Sequence, residues 1–232
     1  MTLIFSLIHD KYSILAADKR ASAVEEYTDT SGEKALRIIT VSEDAQKIFL
    51  VANGMGVMAN AGHVCDHPII DKSQLTTAQI HEIPPAMVEF SRHLYQEDKI
   101  TAETPMRISE TILNYFDYKL NNYSFSVFKY GPQGYTHGEV GSLEIDAAGN
   151  PKERQLVFRT LGSGSEAANQ AFLEFMLKPE SSSLLETQPS LEKTREMLKY
   201  VFEQSSINAI GCGPTFDAYI SSRANREFVE LK

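Results

Sequence analysis

Thr2 is the first residue whose type and place could do chemistry. Met1 precedes a small residue and is a suitable substrate for removal of the initiator, which would leave Thr2 with a free α-amine beside its hydroxyl. An α-amine ordinarily titrates at about 7.7–8.0, so much of it is neutral near pH 7. A neutral amine can take the hydroxyl proton, making Thr2 a nucleophile that carries its own base. Two other groupings invite chemistry. His63-x-Cys65-Asp66-His67 is rich in metal-ligand types, but a structural zinc site ordinarily pairs two such clusters and the sequence offers one. Gly162-Ser163-Gly164 falls one residue short of a Gly-x-Ser-x-Gly nucleophile elbow, so a serine triad is discounted.

The elements that must hold Thr2 begin beside it. Leu3, Phe5 and Leu7 alternate with Ile4, Ser6 and Ile8, and Tyr12 to Ala17 is apolar again after His9-Asp10-Lys11, which predicts a hairpin ending in Asp18 and Arg20. Residues 21–44 are polar and mixed, read as an excursion with one short strand over 36–41. Lys47 opens a second hairpin, 48–52 and 57–61 around Asn53-Gly54, closed by Gly62. Residues 63–83 read as loop. A helix is expected from Pro84-Pro85, and a second from Pro105 on the spacing of Ile108, Ile112, Leu113, Phe116 and Leu120. Strands follow near 123–127, 135–145 and 154–161, then a helix opened by Gly162-Ser163-Gly164-Ser165-Glu166, a helix through Leu191 to Phe202, and a last strand, 215–221. Strands and helices come in segregated blocks, which predicts an α+β domain of two antiparallel sheets with helices on the outer faces.

Each residue near these elements has a plain structural use. Asp18 and Arg20 could pair with each other at a strand end, and Lys47 could be a solvated lysine blunting a sheet edge. Gly62 could be a turn residue, and Ser163 with Glu166 fits a capping box.

Together, Thr2, Ala16-Ala17-Asp18-Lys19-Arg20, Lys47 ahead of a hairpin ending in Gly62, and Gly162-Ser163-Gly164-Ser165 opening a helix resemble the proteasome β-type family of N-terminal nucleophile hydrolases and its bacterial relatives. The resemblance runs from Thr2 to about Ile220. It implies a four-layer αββα sandwich and a single domain over 1–232. It implies a threonine-type endopeptidase with Thr2 as nucleophile, Asp18 orienting Lys47, Lys47 lowering the pKa of the Thr2 amine, the Gly62 N–H receiving the oxyanion, and Ser163 bonding near the amine. It further implies protein or peptide substrates, a homo-oligomeric ring or stacked rings, and room for an ATP-driven unfolding partner, with no cofactor and no metal. The match departs from the family before the last strand: Asn208 falls where the family has an Asp, and Gly211 or Ile210 where it has a Ser. The segments 21–46 and 63–83 are longer than the family pattern.

Composition narrows the setting. The 232 residues suit one sizeable domain. A net charge of −9 with no dense Lys/Arg run argues against nucleic acid and anionic membranes as partners. Two cysteines, Cys65 and Cys212, fit a reducing, cytoplasmic setting. No signal peptide and no membrane span are expected. Two alternatives stand beside the peptidase: a non-catalytic structural subunit, and an N-terminal nucleophile amidase acting on a small amide.

Overall fold

The computed structural model describes residues 2–62, 79–83, 109–131, 134–144, 146, 152, 155–182 and 190–231. Its first hairpin, β1 (Ile4–His9) and β2 (Tyr12–Asp18), is buried on both faces along its whole length. Alternation explains why both faces must be apolar. Leu3, Phe5, Leu7, Tyr12, Ile14 and Ala16 enter one core, and Ile4, Ile8, Leu15 and Ala17 enter another. The hairpin is thus the middle of a sheet that is covered on either side.

That sheet is antiparallel in the order β10-β1-β2-β11-β12, with β10 Leu156–Leu161, β11 Phe216–Ser222 and β12 Val229–Glu230. Helices α1 (Ser165–Met176) and α2 (Leu191–Asn208) lie on its outer face. Ala168, Ala171, Phe172 and Phe175 form the apolar stripe of α1, and Met197, Leu198, Val201 and Phe202 that of α2. The Phe172 ring packs 5.1 Å from Phe5 and 4.6 Å from Phe158. Ser190 caps α2 by accepting the Lys193 N–H at 3.2 Å.

The inner face packs on a second antiparallel sheet, β5-β6-β7-β8-β9, built from Ile48–Val51, Gly56–Gly62, Ser109–Asp117, Asn122–Gly131 and Gly134–Ser142. Ile48, Val57, Ala59, Ile112, Phe125 and Val127 meet the first sheet there. This otherwise apolar interface has a polar seam. Ser6 donates to Asn114 Oδ1 at 2.8 Å, and the Asn114 amide donates to Ser13 Oγ and the Ile14 carbonyl at 3.1 and 3.0 Å. The far face of the second sheet carries a third cluster, in which Ile83 packs with Val51, Met58, Leu113 and Phe128.

Three expectations change. The helix expected from Pro105 is replaced over 109–117 by β7, a strand covered on both faces, so its apolar residues do not alternate and satisfy helical spacing by coincidence. The excursion after Arg20 is a two-stranded ribbon, β3 (Ala21–Thr28) and β4 (Lys34–Ser42), rather than a loop with one strand. A short strand, β12, follows the one expected to be last. The architecture is mixed, with three antiparallel sheets and two α-helices among the described residues. The helix expected at 84–95 and residues 63–78 of the expected loop, with the His63–His67 grouping, lie outside the described residues. No described helix is long and apolar enough to cross a membrane.

Candidate active site

The site forms where β1 begins and β2 ends. In the hairpin register Ile4 faces Ala17, so the next pair outward is Leu3 and Asp18. Asp18 N–H donates to the Leu3 carbonyl at 3.0 Å, and the Leu3 N–H donates to Asp18 Oδ1 at 2.8 Å. The residue after Thr2 is thereby fixed through both of its backbone polar groups. Thr2 itself is 3% exposed.

Asp18 is fully buried, and its carboxylate is satisfied from three segments. Oδ1 accepts both the Leu3 N–H and Lys47 Nζ, the latter at 2.7 Å, while Oδ2 accepts the Gly213 N–H at 3.1 Å. A buried carboxylate is tolerated when it is paired and its remaining lone pairs are filled, as here. Lys47 enters from just before β5 and also donates to the Arg20 carbonyl. Its own carbonyl accepts the Asn60 N–H at 3.1 Å, which ties Lys47 to β6. Burial pushes the Lys47 amine below its usual range; the neighbouring Asp18 works against that shift and only partly offsets it. Lys47 is thus a buried, paired lysine, not a solvated edge lysine.

Gly62 is the last residue of β6, opposite Ser109 of β7. Its neighbour Ala61 is buried and lies beside Gly162. Gly162 has φ near +91°, and a methyl group there would sit 2.1 Å from the Thr2 carbonyl oxygen. Only glycine fits that combination of backbone and space. Gly162 therefore brings the end of β10 against Thr2 and delivers Ser163 to the same corner. Ser163 is exposed, and its Oγ lies 3.9 Å from Cys212 Sγ. It does not cap α1: the N-cap is Gly164, without a side-chain bond, and the Ser165 hydroxyl donates to the Gly162 carbonyl at 2.6 Å.

Arg20 does not pair with Asp18. Its Nε meets both Glu43 carboxylate oxygens at 3.0 and 3.1 Å, and its terminal nitrogen donates to the Cys212 carbonyl at 2.9 Å. Asn208 is an exposed residue at the end of α2 whose amide donates to the Gln204 carbonyl, and Ile210 is 75% exposed. The residues that reach the site from this turn are Cys212 and Gly213. Sequence reasoning gave neither a site role, nor did it give one to Gly162. The sequence offered only the Gly211-Cys212-Gly213-Pro214 run ahead of an expected strand; the pairing of that strand's Phe216 with Asp18 comes from the structure.

Thr2, Asp18, Lys47 and Ser163 thus converge on one corner, with Gly62 one residue beyond Ala61 at its edge. The arrangement gathers the backbone next to Thr2, a buried amine and a hydroxyl in one corner, group types that can activate a nucleophile. Among the described residues, no group of three or more His, Cys, Asp or Glu is placed to hold a metal ion.

No protein-family model and no curated protein matches the sequence. Among solved structures, the chain is similar to Anbu (ancestral beta-subunit) from Yersinia bercovieri, with a TM-score of 0.55 over 99% of this chain and 87% of that one. The fold is shared with Anbu. Identity to Anbu is 12%, so the likeness is one of fold alone. It extends over nearly the whole chain, and the Anbu comparison therefore takes in both sheets and the helix pair together.

Proposed function

We propose that this chain is a threonine-type peptidase subunit of a proteasome-like assembly, acting through Thr2 once Met1 is removed. The observation that carries the reading is the Asp18 carboxylate, which holds the residue next to Thr2 and the Lys47 amine at one buried point. In the reaction, the neutral Thr2 amine takes the proton of its own hydroxyl as the oxygen attacks a peptide carbonyl. The protonated Lys47 disfavours a second positive charge nearby, which keeps the amine neutral and basic. The Gly62 N–H donates to the developing oxyanion, a contact worth about 10²–10³ in rate at comparable sites. The ammonium returns its proton to the leaving amine as the C–N bond breaks, leaving an ester on Thr2. The amine then activates water, which releases the acid and restores the hydroxyl. Ser163 hydrogen-bonds on the amine side and orients it.

Fold likeness to an ancestral beta-subunit supports an oligomeric, proteasome-like setting; we further propose that such sites face a common chamber that keeps folded proteins out. Substrates are then peptides or unfolded chains, with an ATP-driven unfolding partner as the natural feeder.

The test is intact mass of the purified chain with and without an electrophilic probe for N-terminal threonine, with Thr2→Ala run beside it. The expected result is loss of Met1, one adduct on the wild type and none on Thr2→Ala. Retention of Met1, or an exposed Thr2 that takes no label, overturns the reading in favour of a structural subunit.

A further inference from the structure

Cys212 lies outside the roles just assigned, yet its neighbours include Ser163 and the Gly213 N–H that Asp18 holds. Its carbonyl is held by Arg20, and the N–H of the next residue by Asp18 Oδ2. Its side chain is fully buried, with Sγ packed so closely on the turn into α1 that a methyl group at Gly164 would sit 2.6 Å away. The thiol is therefore fixed in place from two sides, and the polar group it reaches is Ser163 Oγ at 3.9 Å.

That contact bears on what Ser163 can do. A serine hydroxyl has one proton, two lone pairs and a free rotor. If it is to serve the Thr2 amine, the rotor has to be biased, and a donor on its far side does this by filling one lone pair. We infer that Cys212 is a positioning residue: its S–H donates to Ser163 Oγ and turns the hydroxyl's remaining lone pair and its proton toward the N-terminal amine. This inference rests on the peptidase reading above.

The surroundings favour the donor form. Burial pushes the Cys212 thiol up, and the charge of Asp18 adds to that, while Ser163 and the charge of Lys47 oppose it. The thiol thus keeps its proton through neutral pH and above the ordinary thiol range. Once ionised it could only accept, and it would draw the Ser163 proton away from the amine.

The experiment is the rate of Thr2 labelling by the N-terminal-threonine probe from pH 6 to 11, for wild type, Cys212→Ala and Cys212→Ser, with each variant's Tm as the control for folding. Cys212→Ala is expected to label about five- to tenfold more slowly, the loss of one modest hydrogen bond. Cys212→Ser, which restores a hydroxyl donor, is expected to return to within about threefold of wild type. The wild type is expected to lose labelling on an alkaline limb that Cys212→Ser lacks, because serine does not ionise. Any alkaline limb due to Lys47 would persist in both. Equal rates and equal pH profiles in all three proteins would make Cys212 a packing residue and overturn the inference while leaving the peptidase reading intact. So would a well-folded Cys212→Ser that labels no faster than Cys212→Ala. A wild type that takes no label overturns both.

Discussion

Lys47 combines a charged side chain with near-complete burial, and the consequence is measurable. Desolvation depresses its native pKa below that of an unfolded lysine, about 10.4. The folded state therefore releases this proton first. Between the native value and about 10.4 the unfolded chain binds more protons, so stability gains from this group as pH rises through that window. Below it, holding the charge inside is a cost that the Asp18 pair offsets only in part. With lysine side chains labelled at Cε, NMR titration is expected to show one lysine with a midpoint below the others, missing from Lys47→Arg. A set of lysines that all titrate together would refute it. At this scale the sequence was informative where residue type and place coincide. Thr2, Asp18 and Lys47 stand beside recognisable strand ends. Cys212 was not legible, because its relevance depends on β11 pairing with β2 across the sheet, and nothing local to residues 211–214 encodes that register.

At the scale of elements, the polar seam between the sheets sets the relation of β1 and β2 to β7. Asn114 is fully buried and bonds Ser6, Ser13 and the Ile14 carbonyl. Truncating it leaves those groups without that partner in a buried interface. Asn114→Ala is expected to cost about 1–3 kcal/mol, read as a lower urea midpoint with an unchanged slope. An unchanged midpoint would mean that the seam is neutral. The seam also shows why β7 was misread. A strand with one wet face announces itself by alternation. Here Ile112 and Phe116 face the first sheet, and Leu113 packs on the opposite side, so the alternation is filled in. The ribbon of β3 and β4 fails for the opposite reason: no residue of β4 is buried, so nothing divides its faces into core and solvent. The hairpins β1-β2 and β5-β6 were legible because turn chemistry marks them at 9–11 and 53–54 whatever covers their faces.

For the whole molecule, the layering of helix pair on sheet on sheet, and its likeness to Anbu across 99% of the chain, turn the question from fold to assembly. A peptidase of the proposed kind is expected to sediment as a multiple of its 25.9 kDa chain mass, with probe labelling confined to that species. A monomer that labels at Thr2 and prefers small amides to peptides would favour the amidase instead.

One contact in this architecture also sets a clock. The Gly213 N–H that Asp18 Oδ2 accepts lies 195 residues further along the chain. At the pace of ribosomal synthesis, about 5–20 residues per second, that interval lasts about 10–40 s. For most of it the nascent chain carries Thr2, Asp18 and Lys47 without the turn that completes their setting. If the chain is the peptidase proposed above, its cleavage chemistry is thereby deferred until translation has nearly finished. On that reading, a growing chain is kept from cutting itself or its neighbours by the order in which its parts are made.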